Sequence, residues 1–254
     1  MTKPSWLDPA TEIKNNQQPE AYKKLDDNTK SVVFILCSYK SLYKCNSLLT
    51  TEQIFWIIGN FVAETGWGRY WNGYNFGGWK INKDYADSYK KRYKVSAPWY
   101  QDEGHVASGD EAIVYYRGYV EPLHFYREWV ERFVPSVPNL KDKRYNKTGE
   151  EFWKPSSNWF LELCLAGYKG PVTKASPDKS IKSWVSIVNR SKIIAAQHLL
   201  GLKPDGIWGP KSNTACLAFQ TGYNLKKDGQ PNFETLALLI KQWQDKGNPL
   251  PVSF

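Results

Sequence analysis

TTEQIFWIIGNFVAETGWG, residues 50–68, is the stretch whose reading decides the fold. Ile54, Ile57, Ile58, Phe61 and Val62 recur at intervals of three and four, the period at which a helix buries one stripe. Thr50 and Gln53 have the spacing of a capping box: the hydroxyl accepts from a first-turn amide and the glutamine side chain reaches back to the cap. Gly66 and Gly68 stop the helix. Its last turn therefore carries one carboxylate, Glu64, four residues after Asn60 and beside the apolar stripe. The chain then runs on to Lys80 as glycines, asparagines and rings (NFVAETGWGRYWNGYNFGGWK, residues 60–80), in which Glu64 is the single acid.

Working outward, residues 1–27 are polar and punctuated by proline, which predicts an extended lead-in ending near Asp26 to Asn28. TKSVVFILCSYKSLYK has helical spacing. Residues 69–110, rich in Gly, Asn, Tyr, Lys and Asp, read as loops with two or three short strands, a small lobe hung on helices. Helical spacing returns from Asp110 through EAIVYYRGYVEPLHFYREWVERF, with Pro122 breaking it or starting a turn. Pro135 and Pro138 end that segment, a basic loop comes next, and SSNWFLELCLAGY is a further helix reaching Tyr168. A Lys/Ser/Pro stretch from Lys169 to Ser180 precedes a helix around Ile181 to Asn189. The remainder reads helix, turn, helix, turn, helix, with reversals at Asp205-Gly206 and Asp228-Gly229. The expectation is a mainly α protein in three parts: a lead-in (1–27), a helical domain with a small loop/β lobe (28–189), and a small three-helix domain (190–254).

Composition narrows the partners. A net charge of +9 favours polyanions: nucleic acid, an anionic membrane, or a bacterial wall with acidic polymers. Twelve Trp and 16 Tyr supply flat rings with polar handles, suited to sugars as well as to a core. The N-terminal segment lacks the apolar run of a secretory signal, and no window approaches the roughly 18 apolar residues of a membrane span. The chain is expected to be made in the cytoplasm and not to insert stably in membranes. Cys37, Cys45, Cys164 and Cys216 lack C-x-x-C spacing and read as reduced thiols. His105, His124 and His198 are scattered, so neither a metal nor a cofactor is expected.

Two segments carry a family resemblance. Ala195-Ala196-Gln197-His198-Leu199-Leu200-Gly201, then Asp205-Gly206-Ile207-Trp208-Gly209-Pro210-Lys211, Thr214-Ala215 and Ala218-Phe219-Gln220, resemble the three-helix peptidoglycan-binding domain of cell-wall hydrolases. A weaker second Asp228-Gly229 and the helix start Phe233-Glu234-Thr235-Leu236 come after them. Glu64-Thr65-Gly66-Trp67-Gly68, Tyr74-Asn75-Phe76-Gly77-Gly78 and Lys80 resemble the lysozyme-like glucosaminidases, a group that includes flagellar muramidases and autolysins. Tyr116 to Leu123 is similar to the segment opening the helix behind that family's cleft, and Ala166-Gly167-Tyr168 to its late Ala-Gly-Tyr. Thr65 for Ser and the inserted Gly78-Trp79 depart from the pattern.

The resemblance implies hydrolysis of β-1,4 bonds in peptidoglycan, as an N-acetylglucosaminidase or N-acetylmuramidase, by a monomer acting on glycan strands. Glu64 is then the general acid. At the end of an apolar helix and fenced by Trp67, it is expected to lose hydration and hold its proton; without the resemblance it reads as a solvated helix-end residue or one tied to Arg69. A second carboxylate is placed near Gln101 to His105, so Asp102 and Glu103 are the candidates, with Asp84, Asp87 and Asp110 as alternatives. The substrate's own acetamido group can replace a second acid. Trp67, Tyr74, Asn75, Trp79, Tyr119 and Tyr168 are candidates to line the groove, and Asp205 and Trp208 to contact the wall. The lack of an export signal suits a phage endolysin released through a membrane pore; a toxin delivered by a secretion machine or a virion-associated lysin would look similar. A non-catalytic peptidoglycan binder and a chitinase-like endolysin are the alternatives; a nucleic-acid binder fits the charge but no recognition motif appears.

Overall fold

A computed structural model describes residues 3–14, 18–105, 111–133, 177–247 and 250–252. The fold is mainly helical, with one two-stranded sheet among the described residues.

Helix α1 (Glu20–Lys23) is a single turn; α2 (Asp27–Cys45) comes next, started by the Asp26 carboxylate, which accepts from the amides of Asn28 and Thr29. Every residue from Ser31 to Tyr39 is buried, so α2 is wrapped on all sides rather than along one stripe. Helix α3 (Thr51–Glu64) begins at the expected capping box, with the Gln53 amide donating to Thr50 Oγ1 at 3.2 Å and the Thr50 amide donating to Gln53 Oε1 at 2.8 Å. Its five stripe residues are fully buried in the core that α2 and α3 share with later elements.

The lead-in is less extended than expected. Leu7, Ile13 and Tyr22 are buried, the Ile13 amide donates to the Trp99 carbonyl, and the Trp99 indole donates to the Asp8 carbonyl at 2.8 Å. This segment straps the small lobe because its few apolar residues find a surface of rings to cover.

The small lobe contains a helix that the sequence pattern did not reveal. Helix α4 (Lys83–Tyr93) is started by Asn82, whose side chain accepts from the Tyr85 amide, and it buries Tyr85 and Tyr89. Its polar composition hid it; two tyrosines four apart are its whole buried stripe. A second correction concerns Glu111–Arg117, expected to be helical. It forms strand β2, antiparallel to β1 (Trp99–His105), in the register Trp99↔Arg117 and Tyr100↔Tyr116. Its β-branched and aromatic residues favour an extended chain, and Tyr100 and Tyr116 stack across the hairpin at 5.3 Å. Helix α5 (Pro122–Phe133) starts at Pro122 and sends Phe125, Tyr126 and Trp129 against Phe61 of α3.

Helix α6 (Pro177–Leu199) is continuous, so the expected boundary between Asn189 and Arg190 falls inside one helix. It meets α3 at Gly59, where an added Cβ would stand 2.6 Å from a Val188 methyl, and Trp184 packs on Trp56 at 4.5 Å. Helices α7 (Pro210–Gly222) and α8 (Phe233–Asp245) complete the three-helix unit, and Phe233 reaches Phe55 of α3.

That unit is built on a repeated polar knot. The Gln197 amide donates to Asp205 Oδ1, the Ile207 carbonyl and Ser212 Oγ, while its oxygen accepts from the Gly206 amide. Gln220 repeats this at the same offsets with Asp228, the Gln230 carbonyl, Thr235 and the Gly229 amide. Both glutamines are buried, so each knot satisfies groups that would otherwise be orphaned. Gln220→Ala strands the Gly229 amide and Thr235 hydroxyl; it should cost about 2 kcal/mol, read as a lower denaturant midpoint at unchanged m-value.

Candidate active site

Glu64 is the last residue of α3, and the chain leaves it through a turn with three consecutive residues in the left-handed region: Gly66 (φ 54), Trp67 (φ 66) and Gly68 (φ 80). A tryptophan in that region is uncommon and needs its surroundings to hold it. They do so from several directions. The Trp67 amide donates to the Val62 carbonyl at 2.9 Å and the Tyr70 amide to that of Thr65 at 2.9 Å. Thr65 Oγ1 donates to the Phe61 carbonyl at 2.7 Å and accepts from the Gly68 amide at 3.0 Å. Ser31 Oγ donates to the Trp67 carbonyl, and buried Tyr22 donates to that of Gly68 at 2.7 Å. The turn is thus fixed by α1, α2 and α3 together.

Glu64 itself is exposed. The expected loss of hydration is therefore not met, because the buried stripe of α3 ends at Phe61 and Val62 while Ala63 and Glu64 fall on the outer side. Arg69, a possible ion-pair partner for it by sequence, instead pairs with Asp27 at 3.1 Å and donates to the Gly66 carbonyl.

The rings continue from this turn. Tyr22 meets Trp71 edge-on at 5.7 Å, and Trp71 stacks on Tyr74 at 5.3 Å. Tyr74, itself left-handed (φ 54), Trp67 and Trp79 are half-buried, each leaving part of its surface to solvent. The Arg190 guanidinium lies over Trp67 at 4.9 Å. Two of the expected groove residues are placed otherwise. Asn75 is buried and closes the 75–79 loop on itself: its amide donates to the Trp79 carbonyl at 2.9 Å and its oxygen accepts from the Trp79 amide at 3.0 Å. A buried amide must find partners, and here the backbone provides both. Tyr119 is 1% exposed and belongs to the core beneath the lobe.

Asp102 and Glu103 lie in β1, opposite Val114 and Ile113, two and three positions beyond Tyr100. The Tyr100 hydroxyl lies 3.5 Å from the Asn75 amide, which joins the hairpin to the ring-bearing loop. Asp84 and Asp87 are on α4, where Asp87 pairs with Lys83 at 2.6 Å. Tyr168, with Ala166 and Gly167, lies outside the described residues, as do Asp110 and Cys164. Cys45 and Cys216 are free thiols, and Cys37 is buried in the core. Among the described residues no group of three His, Cys, Asp or Glu side chains is placed to hold a metal, and no helix is long and apolar enough to cross a membrane.

One carboxylate escaped the sequence pattern, Glu128 of α5. Its side chain is 16% exposed, 3.7 Å from the Arg117 guanidinium and 3.3 Å from the Tyr119 hydroxyl. Arg117 in turn lies over Tyr85 at 4.0 Å and Trp79 at 5.1 Å. Burial pushes the Glu128 carboxyl up to about 7, outweighing the opposing pull of Arg117 and the Tyr119 hydrogen bond. The available signal was position: Glu128 lies three residues after Phe125 and beside Trp129, on the apolar face of its helix.

This shift makes stability depend on pH. Folding raises the carboxyl from an ordinary 4.5 to about 7, so its contribution is full below 4.5 and is lost as pH rises through 7. The loss is roughly 3 kcal/mol. Glu128→Gln should flatten the fall of unfolding free energy between pH 4.5 and 7; an unchanged slope in urea titrations at several pH values contradicts this assignment.

In the C-terminal unit Asp205 and Trp208 serve the turns. The Ile207 amide and then the Gln197 side chain hold the Asp205 carboxyl below its usual range. The Trp208 indole donates to the Gly229 carbonyl at 2.9 Å and ties the first turn to the second. Comparison with family models, curated proteins and solved structures found no match for this chain.

Proposed function

We propose that the chain is a lysozyme-like glycoside hydrolase that cuts β-1,4 bonds of bacterial peptidoglycan, as an N-acetylglucosaminidase or N-acetylmuramidase, with the three-helix unit holding it on the wall. Glu64 donates its proton to the bridging oxygen as the bond to the anomeric carbon breaks. Water then adds to that carbon and gives up its proton to Asp102 or Glu103. Where the substrate's acetamido oxygen has first bonded to the anomeric carbon as the leaving oxygen departs, water displaces it and the proton returns to the Glu64 carboxylate. The observation that supports this reading best is the turn behind Glu64, where three successive left-handed residues are pinned from three helices. Glycine adopts a positive φ freely, so the strain is that of Trp67; strain held this firmly beside an exposed acid is characteristic of a functional site.

Because Glu64 is exposed in the free protein, the glycan itself supplies the desolvation. A strand laid across the half-buried rings of Trp67, Tyr74 and Trp79 covers the carboxyl and favours its protonated form. The chain is proposed to work as a monomer after release from the cytoplasm, in the manner of an endolysin, without cofactor or metal. Incubation with purified dye-labelled peptidoglycan tests the activity: soluble labelled saccharide should accumulate with time. No release at any pH from about 4 to 8, the range over which such carboxyls titrate, contradicts the proposal.

A further inference from the structure

The C-terminal unit carries a groove of about 470 Å³, formed where all three of its helices end. Its apolar surface comes from Leu199, Leu200 and Leu239, and its rings from Phe219, Tyr223 and Trp243. Phe219 and Tyr223 lie 4.7 Å apart. The polar rim is His198, Gln242 and Lys246, and no carboxylate lines it among the described residues.

This composition has a chemical direction. The polar ends of His198, Tyr223, Gln242 and Trp243 make no hydrogen bond within the protein among the described residues, in contrast to Asp205, Trp208 and both knot glutamines. Burial lowers the affinity of His198 for a proton, so at neutral pH its ring offers one donor and one acceptor. The helix-end carbonyls here already accept from backbone amides, those of Gln197 and His198 from Leu202 and Gly201, that of Phe219 from Tyr223 and that of Gln242 from Lys246, so the polar contacts to a ligand fall to the side chains. Lys246 and Gln242 offer donors to a carbonyl oxygen. A ligand with a C–H face for the rings, hydroxyls for the His198 ring and the Tyr223 hydroxyl, and an amide oxygen for Lys246 and Gln242 meets all three demands.

We propose that this groove, rather than the Asp205 and Trp208 turn, is where the unit grips the wall, and that its ligand is an N-acetylated amino sugar of the glycan strand. The inference rests on the peptidoglycan reading and locates the contact within it. Tyr223 is 49% exposed and free to stack on a pyranose. Ile207, 72% exposed and outside the groove, gives a control of similar accessibility.

The test uses the full chain, co-sedimented with purified peptidoglycan, with tri-N-acetylchitotriose and a free stem tetrapeptide as soluble competitors. Tyr223→Ala and Gln242→Ala should each weaken binding about tenfold, equivalent to about 1.4 kcal/mol. Ile207→Ser should bind as the parent does, and chitotriose should compete. Should Tyr223→Ala fold poorly, as judged by its thermal midpoint, Tyr223→Phe with Gln242→Ala carries the same expectation through the lost hydroxyl and amide. Equal binding by all variants overturns the groove and leaves the hydrolase reading standing, provided saccharide is still released. Competition by the tetrapeptide alone overturns the sugar assignment. A parent chain that neither sediments nor releases saccharide removes the hydrolase reading and this inference together.

Discussion

Glu64→Gln should lower the rate of saccharide release from peptidoglycan by about a thousandfold, within the range by which a positioned general acid accelerates a reaction. The amide keeps the shape of the side chain and some of its hydrogen bonding but has no proton to give at the bridging oxygen. Because Glu64 is exposed at the end of α3, the substitution should leave the thermal midpoint within about 2 °C of the parent, the scale of a surface change. Binding to sedimented peptidoglycan should also persist, since the three-helix unit is untouched. Loss of release with retained binding separates a catalyst from a protein that only grips glycan. Undiminished release assigns the chemistry elsewhere, and Glu128 would then be the first residue to examine.

Gly68→Ala should be strongly destabilising. At φ 80 the backbone there is one that a side chain resists, and the added carbon would lie 2.6 Å from the Phe34 Cβ and 2.7 Å from the Tyr22 hydroxyl. Neither neighbour can yield, because Phe34 is fully buried in α2 and Tyr22 is tethered to the Gly68 carbonyl. Strain and overpacking together should cost about 4 kcal/mol, seen as a fall of the thermal midpoint by about 10 °C. Activity should fall with it even below the new midpoint, since the same turn sets the position of Glu64. A midpoint unchanged within about 2 °C would show that the turn is looser than its hydrogen bonds imply.

Much of the helical frame was legible in the residues, for reasons that differ between elements. Helix α3 announces itself twice, by the Thr50–Gln53 cap and by its stripe, and both signals are local. The Asp205 and Asp228 turns are local too. Helix α4 was not legible because its buried face consists of tyrosines, which a polar/apolar pattern splits between classes. Strand β2 resembled a helix because its Ala112-Ile113-Val114-Tyr115-Tyr116 run has no period that excludes one; pairing with β1 decides it, and that contact is not local. The site shows the same division. Glu64 was singled out by the resemblance its helix end carries, while its setting alone suited a solvated residue, and its exposure depends on which side of α3 the rest of the chain covers. Asn75 and Tyr119 looked like sugar ligands by residue type alone. Their burial comes from the 75–79 loop and the lobe behind it, which no spacing encodes. Glu128 stayed hidden because a charged residue on a helix is usually solvated, and only Arg117 and Tyr119, brought in by the hairpin, make its position unusual.

That this chain breaks the bond between two wall sugars is tested most directly by the ends it creates. Purified peptidoglycan is digested, reduced with borohydride and resolved by mass spectrometry. New reduced amino-sugar ends, either N-acetylglucosaminitol or N-acetylmuramitol, should appear with the parent chain and not with Glu64→Gln. Soluble fragments that carry only new peptide termini, with every sugar–sugar linkage intact, would contradict a glycosidase.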